Sequence, residues 1–246
     1  MKNCWLCLLL LCFTGVLCAD EPMAKTLPET GYIQVRNNHF VCTFFPRHMF
    51  PVWFETPDGV PFPEIVRFLD RAVIGKTAYW LYTDLWAEQT VLTNTAQEFS
   101  IRCSGVYCHV EGDKVAPGGL RAVYTYTIRR DSPTIKVVAD IRREGGEEMN
   151  LVFLQPAWSM KVDFSGIWRN EKLVKLSPGH AFREARSAAF GRAGMTVMVE
   201  FNNRDPVVMA RYQCQDGFSS LMTFGKRVTG NSFHLTGYLT LRNQDK

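Results

Sequence analysis

Between Trp158 and Phe190 the chain gathers most of the residues that could do chemistry. Ser177-Pro178-Gly179 has turn composition, and His180, Arg183, Glu184 and Arg186 follow it closely. As a short helix, Ala181 to Ala189 would set Arg183 and Arg186 on one face at i, i+3. Two guanidiniums so placed suit bidentate pairing with a carboxylate or sulfate. His180 has the chemistry of a general acid near neutral pH. Trp168, beside Arg169 and Asn170, reads as an exposed aromatic platform, with Trp158 at the other end of a stretch of weak periodicity. Each has a plainer reading. Tryptophans in β-proteins mostly fill cores, surface arginines mostly pair with local carboxylates, and a lone histidine mostly makes a structural hydrogen bond.

The elements that would position these residues alternate with period two. From Leu120 to Arg143, Ala122, Tyr124, Tyr126 and Ile128 fall on one side and Arg121, Thr125, Thr127 and Arg129 on the other. After Asp131-Ser132-Pro133, Ile135, Val137, Ala139 and Ile141 oppose Thr134, Lys136, Asp140 and Arg142. This predicts an antiparallel pair with one face on a core, joined by a turn. Further strands are expected at Tyr32 to Val35 and His39 to Phe45 across Asn37-Asn38. Others are expected at Ala78 to Thr83, Gln89 to Thr93, Gln97 to Arg102, Val106 to Glu111 and Met149 to Leu154, the last stopping at Pro156. Met195 to Phe201, Val207 to Gln213, Ser219 to Phe224 and Ser232 to Arg242 complete the series. Pro46 to Pro63 holds five prolines, which rule out a central strand; it is expected as an ordered loop or edge with Trp53 and Phe54 anchored in the core. No stretch sustains a helical period. Strands recurring every ~8–12 residues with turns between them predict an all-β fold, a sandwich or barrel.

Met1 to Ala19 has the make-up of a secretory signal: Lys2, then an apolar run from Trp5 to Phe13 that is short for a membrane span. Cleavage after Cys18 or Ala19 starts the mature chain near Asp20 as a single domain to 246, secreted, periplasmic or extracellular. Lipidation at Cys18 is the weaker alternative, because Val16 and Leu17 precede it. The formal charge of +4 is mild and no Lys/Arg run exceeds two, so a nucleic-acid partner has no footprint. No second apolar run approaches spanning length in the mature chain.

The mature chain keeps Cys42, Cys103, Cys108 and Cys214, for which oxidising surroundings allow three pairings. A disulfide closing a hairpin between Cys103 and Cys108 is one of them, and a free core thiol is open for any. The spacing does not suit zinc. No G-x-S-x-G, H-E-x-x-H, phosphate-loop or EF-hand motif occurs, and no cofactor or metal is expected.

The succession Phe99-Ser100-Ile101-Arg102, Val110-Glu111-Gly112, Leu120 to Ile128, Asp131-Ser132-Pro133 and Ile135 to Ile141 resembles the galactose mutarotase-like super-sandwich. Ser187-Ala188-Ala189-Phe190 followed by Met195 to Glu200 resembles a later passage of such domains. The resemblance implies a large antiparallel β-sandwich of a kind found in sugar mutarotases and in non-catalytic domains of polysaccharide lyases and glycoside hydrolases. It implies a carbohydrate ligand and a role in binding or as an accessory to a separate catalytic subunit. Mutarotases of this kind use a Glu base and a His acid; here His109 and His180 are the nearest acids and Glu200 the nearest base, though the sequence around them departs from those motifs. A small sugar-active enzyme, an epimerase, mutarotase or lyase, is the first alternative. A structural or protein-interaction module of the cell envelope is the second.

Overall fold

The computed structural model describes residues 21–62, 65–74, 76–81, 87–111, 114–145, 149–160, 167–169, 172–174, 181–185, 187–192, 195–201, 207–215 and 218–243, the strand residues within 65–71, 73, 110–117, 149–229 and 235 as backbone alone. Among them there is no helix, and the protein is an all-β sandwich. A four-stranded sheet takes β1 (Ala24–Thr26), β2 (Ile33–Arg36), β3 (Val41–Phe44) and β4 (Pro51–Glu55) in chain order. The large sheet begins with β5 (Ile65–Ile74), β6 (Thr77–Leu81), β7 (Glu88–Asn94), β8 (Glu98–Glu111), β9 (Lys114–Arg129) and β10 (Thr134–Arg143). It continues with β11 (Met149–Met160), β12 (Ile167–Arg169), β13 (Lys172–Val174), β14 (Ala181–Ala185), β15 (Ser187–Arg192), β16 (Met195–Phe201), β17 (Val207–Gln215), β18 (Phe218–Gly230) and β19 (Ser232–Asn243). Its order is β13-β12-β15-β16-β19-β10-β9-β8-β6-β5-β11-β18-β17-β14, with β7 paired to β8 off this path.

The expected central pair is β9 and β10, in antiparallel register from Ile128↔Ile135 to Leu120↔Arg143. Ala122, Tyr124, Tyr126, Ile128, Ile135, Ala139 and Ile141 are all buried, as the alternation predicts. They form one core with the inward residues of the small sheet, Ala24, Val35, Cys42, Phe44 and Phe54. Aromatic edges join the layers: Phe44 meets Tyr126 at 5.6 Å, and Phe50 meets Tyr124 at 5.2 Å between ring centroids. Both are T-shaped, the arrangement that sets a positive ring edge against a negative face.

Amide side chains fasten the layers at their ends. Asn37 is buried between the β2–β3 and β9–β10 turns. Its Nδ2 donates to the carbonyls of Arg129 at 3.1 Å and Ser132 at 2.8 Å. Its Oδ1 accepts from the backbone N–H of His39 at 2.9 Å and Phe40 at 2.8 Å. One small side chain thus closes its own turn and ties it to the opposite layer. Asn94 exchanges two hydrogen bonds with the backbone of Ala24, and Gln89 Nε2 donates to the carbonyls of Phe45 and His48.

Several boundaries differ from the sequence expectation, each for a local reason. Residues 98–111 form one strand, β8, where two, Gln97 to Arg102 and Val106 to Glu111, were expected and a hairpin between them was one option. Gly105 serves close packing instead: a Cβ there would lie 2.9 Å from Met49 Sδ. Pro117-Gly118-Gly119 makes a bulge within β9, since Tyr107↔Leu120 is followed by Cys108↔Pro117. Gly119 there has φ +68°, and a Cβ on Gly118 would strike the Tyr79 ring. Pro156 does not stop its strand. β11 runs to Met160, with Pro156 opposite Asp70 on β5, while pairing with β18 passes from Leu154 to Ala157.

Replacing Asn37 by Ala removes four hydrogen bonds to buried or half-buried backbone groups, so the urea midpoint should fall by the equivalent of roughly 3 kcal/mol. A midpoint unchanged within error would show that the clamp does not hold the layers together.

Candidate functional site

The small sheet turns one face to the core and the other away from it. Because Phe54 enters the core, strand alternation sends its neighbours Trp53 and Glu55 outward. Trp53 is 45% exposed, so the expectation that it anchors in the core is corrected: Phe54 is the anchor and Trp53 a surface ring. Cross-strand register places Trp53 opposite Thr43 and Thr43 opposite Gln34, with Lys25 opposite Gln34 in turn. The next row is Glu55, Val41 and Arg36. The outer face therefore carries an indole with Gln34, Glu55, Arg36 and Lys25 about it, while Thr43 and Val41 on the same face are buried.

Its geometry is fixed by its own contacts. Trp53 Nε1 donates to Glu55 Oε2 at 3.2 Å, which orients the ring along the strand and leaves its faces free of that bond. Arg36 Nη1 donates to the Pro57 carbonyl at 3.1 Å, so its guanidinium reaches across β3 toward the end of β4. Pro57 is held in a tight turn: Gly59 N–H donates to the Thr56 carbonyl at 2.9 Å, and Val60 N–H to Thr56 Oγ1 at 3.0 Å. The chain then returns beside β4, with Glu55 bridged to Pro61 and Phe62 N–H bonded to the Phe54 carbonyl. Single exposed apolar side chains are ordinary on proteins. A pinned indole on a braced strand, ringed by donors and acceptors, is the equipment of a ligand platform.

A second polar group lies on the solvent side of the large sheet. His234 Nδ1 and Asp140 Oδ1, on paired strands, are 2.7 Å apart. This leaves Nε2 as the ring's outward nitrogen. Lys136 and Tyr238 form the corresponding cross-strand pair further along. Both partners of the His234–Asp140 couple are exposed, and such pairs contribute about 0–1 kcal/mol.

The residues singled out from sequence are distributed differently. His109 lies on β8, half-buried, with its ring tilted against Tyr79 at 5.9 Å. Trp158 is on β11 opposite Phe68 and Met222, and Trp168 on β12 opposite Leu173 and Ala189. Arg183 is on β14 and Glu200 on β16, opposite Tyr238 and Ser187. Ala181–Ala185 is a strand, so the helical spacing of Arg183 and Arg186 does not apply to it. β12 and β14 are not neighbours in the sheet. His180, Asn170 and Arg186 lie outside the described residues.

Cys42, Cys103 and Cys108 are free and buried. Cys103 and Cys108 share β8, five residues apart on one extended strand, a span of roughly 16 Å that no disulfide bridges. Burial pushes the Cys103 thiol up to about 12 and the Cys108 thiol up to about 11, and raises that of Cys42. All three therefore stay protonated and inert at neutral pH. Among the described residues no group of three His, Cys, Asp or Glu could hold a metal, and no helix is long and apolar enough to cross a membrane.

No family profile and no curated protein matches the sequence. Solved structures do match the fold. One is the GH36 alpha-galactosidase AgaB from Geobacillus stearothermophilus, with 12% identity, a TM-score of 0.54, and 90% of this chain and 41% of that one covered. Another is an alpha-mannosidase from Enterococcus faecalis, with 9% identity, a TM-score of 0.61, and coverage of 91% and 30%. The Slr1438 protein from Synechocystis sp. PCC 6803 matches with 11% identity, a TM-score of 0.54, and coverage of 89% and 98%. The chain thus spans less than half of the two enzymes. At such identities the likeness is one of fold.

Two outcomes test this description. Cys42, Cys103 and Cys108 should resist a thiol-specific disulfide reagent at pH 8 in the native protein and react once denaturant unfolds it; prompt native reaction of any of them contradicts its burial. His234→Ala should shift unfolding free energy by less than about 1 kcal/mol, and a larger loss would mean that the pair is structural.

Proposed function

We propose that the chain is a secreted carbohydrate-binding or accessory domain of the galactose mutarotase-like kind, with the outer face of β1–β4 as its ligand surface. The observation that carries this reading is Trp53. Its indole is half exposed on a sheet face, pinned by Glu55, and surrounded by side chains that bond hydroxyls. A sugar ring presents an apolar C–H face and a rim of hydroxyls, and this surface offers the counterpart of each. Stacking uses the indole face, while Gln34 and the second oxygen of Glu55 meet the rim.

Other structures of similar fold support the class of ligand. They are named as an alpha-galactosidase, an alpha-mannosidase, a 4-alpha-glucanotransferase and a heparan sulfate lyase, proteins whose names all specify carbohydrates. The signal-like Met1 to Ala19 would place the mature chain where polysaccharide is met, outside the cytoplasm. Trp168 and Arg183, on strands of the large sheet, are candidates for further contacts. Binding is preferred to turnover because the group that stands out on this surface is an aromatic platform, and its carboxylate is engaged in orienting the ring.

The test is a glycan array followed by calorimetry on the chain from Asp20. Trp53→Ala should weaken binding to the best glycan by about 10-fold or more, as expected when a central aromatic anchor is truncated. Its thermal midpoint should move little, because the ring is half exposed. Equal binding by the variant would remove Trp53 from the site, and no binding to any glycan by the unmodified chain would sink the carbohydrate reading.

A further inference from the structure

We propose that the ligand of this face is acidic, with a uronate or sulfated unit held by Arg36 beside the ring stacked on Trp53. This rests on the carbohydrate reading above and adds the charge of the ligand to it.

The argument starts from where the charges lie. On the outer face of the small sheet the charged side chains are Lys25, Arg36 and Glu55. Glu55 is committed by one oxygen to the indole N–H. Arg36 forms no ion pair among the described residues, whereas Arg121 and Arg129 are paired with Glu144 and Glu98. Its one side-chain hydrogen bond there, from Nη1 to the Pro57 carbonyl, fixes the head of a flexible side chain without setting a carboxylate against it.

That fixing matters for both position and shape. Arg36 and Glu55 flank Val41, two strand spacings apart, roughly 10 Å. The bond to Pro57 draws the guanidinium across that gap, to the chain just past Glu55 and one row from Trp53. Val41 is buried in the row the arginine stem crosses, as expected where a long side chain lays its methylenes over an apolar neighbour. With Nη1 bonded to the carbonyl, the Nε–Nη2 edge is left over, and it is the edge that matches two oxygens of a carboxylate or sulfate. An indole face and an oriented fork on one braced surface suit adjacent units of one glycan, the first stacked and the second charged. Lys25, at the far end of the Trp53 row, adds attraction without this directional fit.

The experiment uses matched glycan pairs on one array: uronate oligosaccharides with their carboxyl-reduced forms, and sulfated oligosaccharides with their desulfated forms. They are probed with the unmodified chain, Arg36→Gln, Arg36→Lys and Lys25→Gln. The unmodified chain should bind the acidic member of a pair about 10-fold or more tightly, the range of a charge-assisted hydrogen bond to an ion. Arg36→Gln should abolish that difference and keep binding to the neutral member, which also shows that the variant is folded. Arg36→Lys should restore only part of the preference. Equal binding to both members by the unmodified chain overturns the proposal, and leaves the carbohydrate reading standing. A preference retained in Arg36→Gln but lost in Lys25→Gln also overturns it. No binding to any member of any pair overturns both readings together.

Discussion

The structure depends on how a small sheet is fastened to a much larger one. Packing of Phe44 and Phe50 against the tyrosines of β9 supplies the attraction, which is roughly proportional to apolar area and indifferent to register. Register comes from Asn37. Buried between two turns, it can satisfy all its hydrogen-bonding atoms in one arrangement of the layers, because two of its partners belong to its own turn and two to the turn between β9 and β10. A sliding of one sheet over the other would break the two bonds that Asn37 Nδ2 makes across the layers and leave its N–H groups shielded from water, a cost that hydrophobic contact alone would not impose.

That constraint reaches the candidate site through β3 and β4. With the β2–β3 hairpin docked at Asn37, Cys42, Phe44 and Phe54 are committed to the core, so Trp53 and Glu55 must face away. The proline-rich return from Thr56 to Phe62 then closes off the outer edge of β4 and supplies the carbonyl that steers Arg36. Rigidity of the platform is therefore a consequence of core packing on the other side of the same strand. A binding surface built this way loses little side-chain freedom on meeting its ligand, because ring and fork are already oriented.

Much of this was legible in the sequence where alternation was unbroken. Tyr124, Tyr126, Ile135 and Ile141 declared their face, and the Asp131-Ser132-Pro133 turn lay between them as expected. The β2–β3 pair across Asn37-Asn38 was also readable, though not that Asn37 would clamp a turn more than ninety residues away. Gly105 misled, because a glycine required by a neighbouring side chain looks the same in sequence as one required by a turn. Trp53 was misplaced because five prolines concealed a strand of five residues; once Phe54 is taken as the core anchor, period two sends Trp53 outward. His234 escaped notice because nothing near it in sequence reveals Asp140, its partner on the adjacent strand.

The most direct measurement is a crystal structure of the chain from Asp20 with its tightest-binding oligosaccharide. The account predicts a sugar ring lying flat against the indole of Trp53 on the outer face of β1–β4, with Gln34 and Glu55 at its rim. A sugar bound elsewhere on the molecule, with the Trp53 face bare, would contradict it.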